Sequence, residues 1–171
     1  MDMGEVAGER ADLLQSLARH RYFLRHTVRD LTDEQAAQRT TASQLCLGGL
    51  IKHVALTEWQ WISFILDGPS AMGRPDEASM GAWMDAFRMQ EGETLSGLLE
   101  EYEKVARRTD ELVAKLPDLD VTNPLPDAPW FEQGARWSAR RVLLHVIAET
   151  AQHAGHADII RESLDGARSM G

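Results

Sequence analysis

Four long runs of helix-period hydrophobicity, separated by breaks rich in glycine and proline, constrain this chain more than any other feature. From about Ala7 to Asp30, Leu13, Leu14, Leu17, Phe23, Leu24 and Val28 recur among charged positions with a period near 3.6. A second run begins near Leu47 and ends before Gly68-Pro69. A third, from Leu95, carries Leu98, Leu99, Tyr102, Val105, Ala106, Leu112, Val113 and Leu116, and Pro117 stops it. The last starts at Ser138, an N-cap, and continues to about Leu164 with Gly166 as its terminator. Between them, Thr32 caps a short segment, Asp33-Glu34-Gln35, and another short helix is expected around Trp83–Met89. Residues 68–79 read as a loop. Residues 117–136, with Pro117, Pro124, Pro126 and Pro129, read as an extended connection. No stretch alternates apolar and polar over strand length. The expectation is an all-α fold, a four-helix bundle with long crossover connections, in a single domain over residues 1–171.

Composition narrows the function classes. A chain of 171 residues is long enough to bury a substantial core without disulfides. Its 27 acidic and 18 basic residues leave a formal charge of -9. That sign repels phosphate backbones, and no basic patch offsets it, so nucleic acid is not an expected partner. The single cysteine, Cys46, excludes an internal disulfide framework and a multi-cysteine zinc site, and reads as a small buried or capping residue. No apolar run reaches the roughly 18 residues that span a bilayer, and Met1-Asp2-Met3-Gly4-Glu5 lacks the layout of a signal peptide. A soluble cytoplasmic protein without a membrane partner is expected.

The chemistry concentrates on the last helix. At about 100° per residue, His145, Glu149, His153 and His156 fall within an arc of about 80°, close to Val142, Val146 and Ile160. Glu149 and His153 therefore sit on or beside the face that enters the core. A buried carboxylate is costly unless it is paired, hydrogen-bonded or bound to a metal. Glu and His four residues apart are spaced to hold one ion. The second long helix offers a third ligand, because His53 lies with Thr57 on the stripe of Leu50, Val54, Trp61 and Phe64. His53, Glu149 and His153 form a two-histidine, one-carboxylate set that suits zinc, nickel or iron and leaves a coordination position free. The plainer alternatives are a core histidine bonded to its neighbours at 153 and an arginine ion pair at Glu149. His145 and His156 stand at the edge of the arc, and His20 and His26 read as surface residues. Glu58 lies about 140° from His53 around its helix and is expected to pair an arginine. Most of the five tryptophans read as packing residues, with Trp130-Phe131 at a pocket mouth.

Two segments carry a resemblance. Leu47-Gly48-Gly49-Leu50-Ile51-Lys52-His53-Val54-Ala55-Leu56-Thr57-Glu58-Trp59 resembles the second-helix motif of the DinB superfamily. The segment from Trp137 through His145, and then Glu149 to Asp158, is similar to its last-helix motif. The nearest branch is the mycothiol-transferase-like set, together with proteins similar to mycothiol-dependent maleylpyruvate isomerase. The resemblance implies a four-helix bundle that binds one divalent metal, with ligands at His53, Glu149 and His153. Many DinB proteins carry histidine at all three places; the glutamate at 149 matches the isomerase-like branch. The resemblance further implies a zinc- or nickel-dependent transferase that activates a low-molecular-weight thiol, mycothiol, for attack on a small electrophile. His145 and His156 are then candidate catalytic residues that orient ligands or move protons. Family members are often homodimers. A metal-dependent hydrolase using bound water and a non-catalytic metal- or ligand-binding dimer are the alternative readings.

Overall fold

A computed structural model describes residues 7–73 and 77–170 of the protein. The opening Met1–Glu5, read above for a signal peptide, and part of the 68–79 connection lie outside the described residues. Four long helices dominate: α1 (Glu9–His26), α3 (Leu47–Asp67), α5 (Leu95–Lys115) and α6 (Ala139–Asp165). Shorter helices α2 (Asp33–Ala37) and α4 (Glu77–Asp85), a 3-10 turn at Gly68–Met72, and strands β1 (Thr122–Pro124) and β2 (Arg136–Ser138) connect them. No helix among the described residues is long and apolar enough to cross a membrane.

Local chemistry fixes the helix ends. Thr32 accepts from the Gln35 backbone while the Gln35 side chain reaches back to the Thr32 backbone, a reciprocal cap that starts α2. Ser138 accepts from the Arg141 N–H at 3.1 Å and starts α6, and Gly166 ends it at φ 80. Helix α1 stops short of Asp30. The Thr27 hydroxyl donates to the Leu24 carbonyl at 2.7 Å, and the chain turns through Asp30 at φ 58.

Three expectations are corrected. Residues 117–136 do not run as a plain extended connection into α6, because β1 pairs antiparallel with β2, with Asn123 opposite Trp137. Three-residue strands are too short to show a period of two. The short helix lies at Glu77–Asp85 rather than around Trp83–Met89: it starts within the last residues of the 68–79 loop and ends before Phe87. Of the five tryptophans, Trp59, Trp83 and Trp130 are 43%, 46% and 60% exposed, so most are not core residues; Trp61 is buried and Trp137 half-buried.

The four long helices contact one another in a closed ring: α1 against α6, α6 against α3, α3 against α5, and α5 back against α1. Two apolar clusters fill the ring. One joins Leu24 of α1, Leu50 and Val54 of α3, Tyr102 of α5 and Ile160 of α6. The other joins Leu17, Ile62, Val113 and Val146 from the same four helices. Between the clusters every helix places a buried polar residue: Arg21 on α1, Glu58 on α3, Thr109 on α5, and Thr150 and His153 on α6.

Glu58 is fully buried and accepts from both Arg21 Nε, at 3.1 Å, and Arg21 Nη2. Thr109 donates to the same carboxylate at 2.6 Å, and Arg21 also donates to Asp110 at 2.9 Å. The expected arginine partner of Glu58 is thus Arg21 of α1, in the interior between the helices. Removing one partner of a buried pair leaves an uncompensated charge, whereas replacing both with apolar groups of similar volume is often neutral. Glu58→Ala is therefore expected to cost about 3–5 kcal/mol in urea unfolding. The double change Arg21→Met with Glu58→Leu should recover most of that loss. A cost below about 1 kcal/mol for Glu58→Ala would contradict the pairing.

Candidate metal centre

Helix α3 contributes His53 to the polar layer and α6 contributes Glu149 and His153. Donor atoms of these three side chains lie within 4.8 Å of one another. His53 is 3% exposed and His153 9%, while the Glu149 side chain is 29% exposed, so the group is walled on the interior and open on one side. Glu149 Oε2 stands 3.5 Å from His153 Nε2, and Glu149 Oε1 stands 4.0 Å from His145 Nε2. His156 Nδ1 is 3.3 Å from His153 Nδ1. His145 and His156 therefore flank the group, both half-buried. His20 and His26, also half-buried, lie away from it on α1; His26 stacks on Tyr22 at 5.4 Å.

The donor set fits a divalent metal on an observation independent of spacing. His53 Nδ1 is buried with no hydrogen-bond partner, and His53 Nε2 has only a 3.4 Å contact with the Thr57 hydroxyl. A histidine kept in a core for packing satisfies its nitrogens through neighbours; this one does not. The other buried side-chain polar atoms lacking a partner among the described residues are the hydroxyls of Ser63 and Tyr102, neutral groups whose proton rotates.

Electrostatics point the same way. Burial above all pushes the His53 imidazole down to about 4, with His153 adding and Glu149 opposing. Burial likewise lowers His145, against the pull of Glu149 and with a contribution from the Arg141 charge. Glu149 is held below the usual carboxylate range, first by its hydrogen bond with His153 and against the effect of burial. Near neutral pH His53 is therefore a neutral imidazole and Glu149 an ionised carboxylate, with a neutral His145 beside them. Those are the protonation states a divalent metal requires.

An aromatic shell surrounds the group. Phe87 lies nearly flat on the His53 ring at 3.8 Å, while Trp83 and His153 meet that ring edge-on at 5.7 Å and 4.8 Å. On the other flank, Trp61 and Trp137 stack on each other at 4.7 Å, and the His145 ring stands edge-on to both, at 4.7 Å and 5.2 Å. Phe131 closes against Trp61 and Trp137, next to the exposed Trp130, and the Arg141 guanidinium sits 4.3 Å from the Trp137 ring. From sequence, Trp130 and Phe131 are the members of this shell expected at a pocket mouth and Trp61 is expected on the inward stripe of α3, while Phe87 is not singled out. The adjacent Gly48-Gly49 in the first turn of α3 was the available signal for Phe87, since paired glycines in a helix mark close backbone approach.

The fold and the group together define a helical protein with two histidines and a carboxylate converging, from facing helices, on a position able to hold a metal ion. The chain belongs to the mycothiol S-transferase family, whose sequence profile matches residues 12–166 and so spans every residue named above at the centre. That family is DinB-like, in agreement with the motifs around His53 and Glu149. No curated protein matches the chain.

Because the unfolded chain protonates His53 near 6.5 and the folded, metal-free chain only near 4, the unfolded state binds more protons between those values. Stability of the metal-free protein should thus decline as pH falls from 6.5 toward 4, by about 3 kcal/mol at most from this residue. Urea midpoints across that range should fall less steeply in His53→Asn. Parallel slopes for the two proteins would contradict the burial of a neutral His53.

Proposed function

We propose that the protein is a divalent-metal-dependent transferase that moves the sulfur of a low-molecular-weight thiol, mycothiol or a close relative, onto a small electrophile. The observation that carries this reading is the convergence of His53, Glu149 and His153 in a chain of the mycothiol S-transferase family. Two imidazoles and a carboxylate suit zinc or nickel and leave a coordination position for an exogenous ligand. A divalent cation held there favours thiolate over thiol at neutral pH. In this reading the four long helices form a DinB-type bundle over a single domain, paired as a homodimer in the cytoplasm.

The remaining residues have separable tasks. His156 Nδ1 lies 3.3 Å from His153 Nδ1, so that with metal bound a proton shared between these two nitrogens would leave the His153 Nε2 lone pair free on the side of Glu149. His145 is a neutral imidazole one turn from Glu149, held edge-on by Trp61 and Trp137, so its Nε2 can take the proton released when the thiol ionises. The aromatic flank of Trp61, Phe131 and Trp137 excludes water from one side of the carboxylate and offers an apolar surface to the electrophile.

Conjugation of mycothiol to 1-chloro-2,4-dinitrobenzene tests the assignment. In that reaction a carbon–sulfur bond forms, chloride leaves and the thiol proton is released. The metal-loaded protein should accelerate it, a chelator should abolish the acceleration, and His145→Gln should lower kcat about 100-fold with little change in KM for the thiol. A rate equal to the uncatalysed one would contradict the assignment. Ester hydrolysis without thiol would instead favour water as the nucleophile.

A further inference from the structure

A ligating imidazole is ordinarily oriented by a hydrogen bond from its second nitrogen to a carboxylate, a carbonyl or water, and such partners matter about 10–100-fold in metal affinity. His153 has such a partner in His156. His53 has at best a weak one: Nδ1 is buried with no hydrogen-bond partner, and Nε2 has only the Thr57 hydroxyl at 3.4 Å, so whichever nitrogen faces the ion the other is loosely held. Its ring is instead fixed by aromatic contact. Phe87 covers one face at a centroid distance of 3.8 Å and an interplanar angle of 20°, and His153 abuts the ring at 78°.

Phe87 is held in place by α3 itself. The backbone of the segment after α4 lies directly on the first turn of α3, where a Cβ at Gly49 would overlap the Phe87 carbonyl and come within 2.9 Å of the Arg88 nitrogen. A Cβ at Gly48 would overlap the Met89 sulfur and reach 3.5 Å from the Ala36 carbonyl. Around this notch, Cys46 Sγ lies 3.8 Å from the Phe87 carbonyl, Lys52 Nζ donates to the Arg88 carbonyl at 3.4 Å, and Lys52 pairs with Glu93 at 2.7 Å. Glycine at either position would ordinarily weaken a helix relative to alanine by about 1 kcal/mol. Here the close approach outweighs that preference, because the clashing atoms at Gly49 are backbone and cannot rotate away.

We infer that Phe87, seated by the Gly48-Gly49 notch, is the positioning residue of His53, doing by ring stacking what a hydrogen bond does for other ligating histidines. The role rests on the reading of His53 as a metal ligand, but the stacking itself is measurable without metal. Two readouts apply to folded Phe87→Leu, Phe87→Tyr and Gly49→Ala proteins, with circular dichroism as the control for folding. The first is cobalt(II) affinity by chelator competition, with the visible absorption of the bound ion. The second is the proton shifts of the His53 ring in the metal-free protein.

Wild type should show His53 ring protons shifted upfield by the Phe87 ring current. Phe87→Leu should lose that shift, bind cobalt about 10–100-fold more weakly and alter its visible spectrum, whereas Phe87→Tyr should retain both signatures. Gly49→Ala should resemble Phe87→Leu if it folds. Unchanged affinity in Phe87→Leu, or weakened affinity with His53 signals unmoved, would overturn the role. If wild type takes up no cobalt while Phe87→Leu still moves the His53 signals, the metal reading fails and the placement of His53 by Phe87 stands.

Discussion

Helix α3 buries two-thirds of its residues, and the rest of the molecule is arranged around that constraint. Fourteen of its 21 residues are buried, so an ionisable side chain on its inward face has no recourse to water and is costly without a partner inside. Glu58 finds Arg21 and Thr109. His53, one and a half turns earlier, meets Glu149 and His153 of α6 and keeps one nitrogen unpartnered. These two solutions share a layer between two apolar clusters. In one direction the charges cancel within the protein; in the other they leave a place for a cation.

The division of labour between α3 and α6 follows from their surroundings. On α6, Arg141, His145, Glu149 and His153 repeat every four residues, so one ridge carries both α6 members of the triad and continues past His145 to an arginine stacked on Trp137. That ridge is only partly covered, and its polar groups reach one another and the open side. On α3 the corresponding face is shut in by the segment following α4. The glycine pair in the first turn of α3 is thus as much a part of the centre as His53, Glu149 and His153, since it sets what lies against His53.

Much of this was legible in the sequence, for identifiable reasons. Helix starts at Thr32 and Ser138 and the stop at Gly166 are local events, set by one side chain or one φ angle, and they stand where expected. The convergence of His53, Glu149 and His153 follows from helical periodicity plus the requirement that apolar stripes face inward. The pairing of Glu58 with an arginine was legible as chemistry, but not its partner, because Arg21 is 37 residues away. The β1–β2 pairing was hidden because three residues per strand carry no pattern. The aromatic shell was hidden because Phe87 and Trp83 belong to a short segment whose position depends on tertiary docking rather than on its own periodicity.

The central claim is that the triad holds one divalent ion, and metal content by elemental analysis of the untagged protein tests it most directly, beside His53→Ala and His153→Ala. Roughly one equivalent in the wild type, lost in both folded variants, is the outcome this account predicts. Wild-type protein that carries no metal and takes up none when zinc or nickel is added back, or variants that retain a full equivalent, would contradict it.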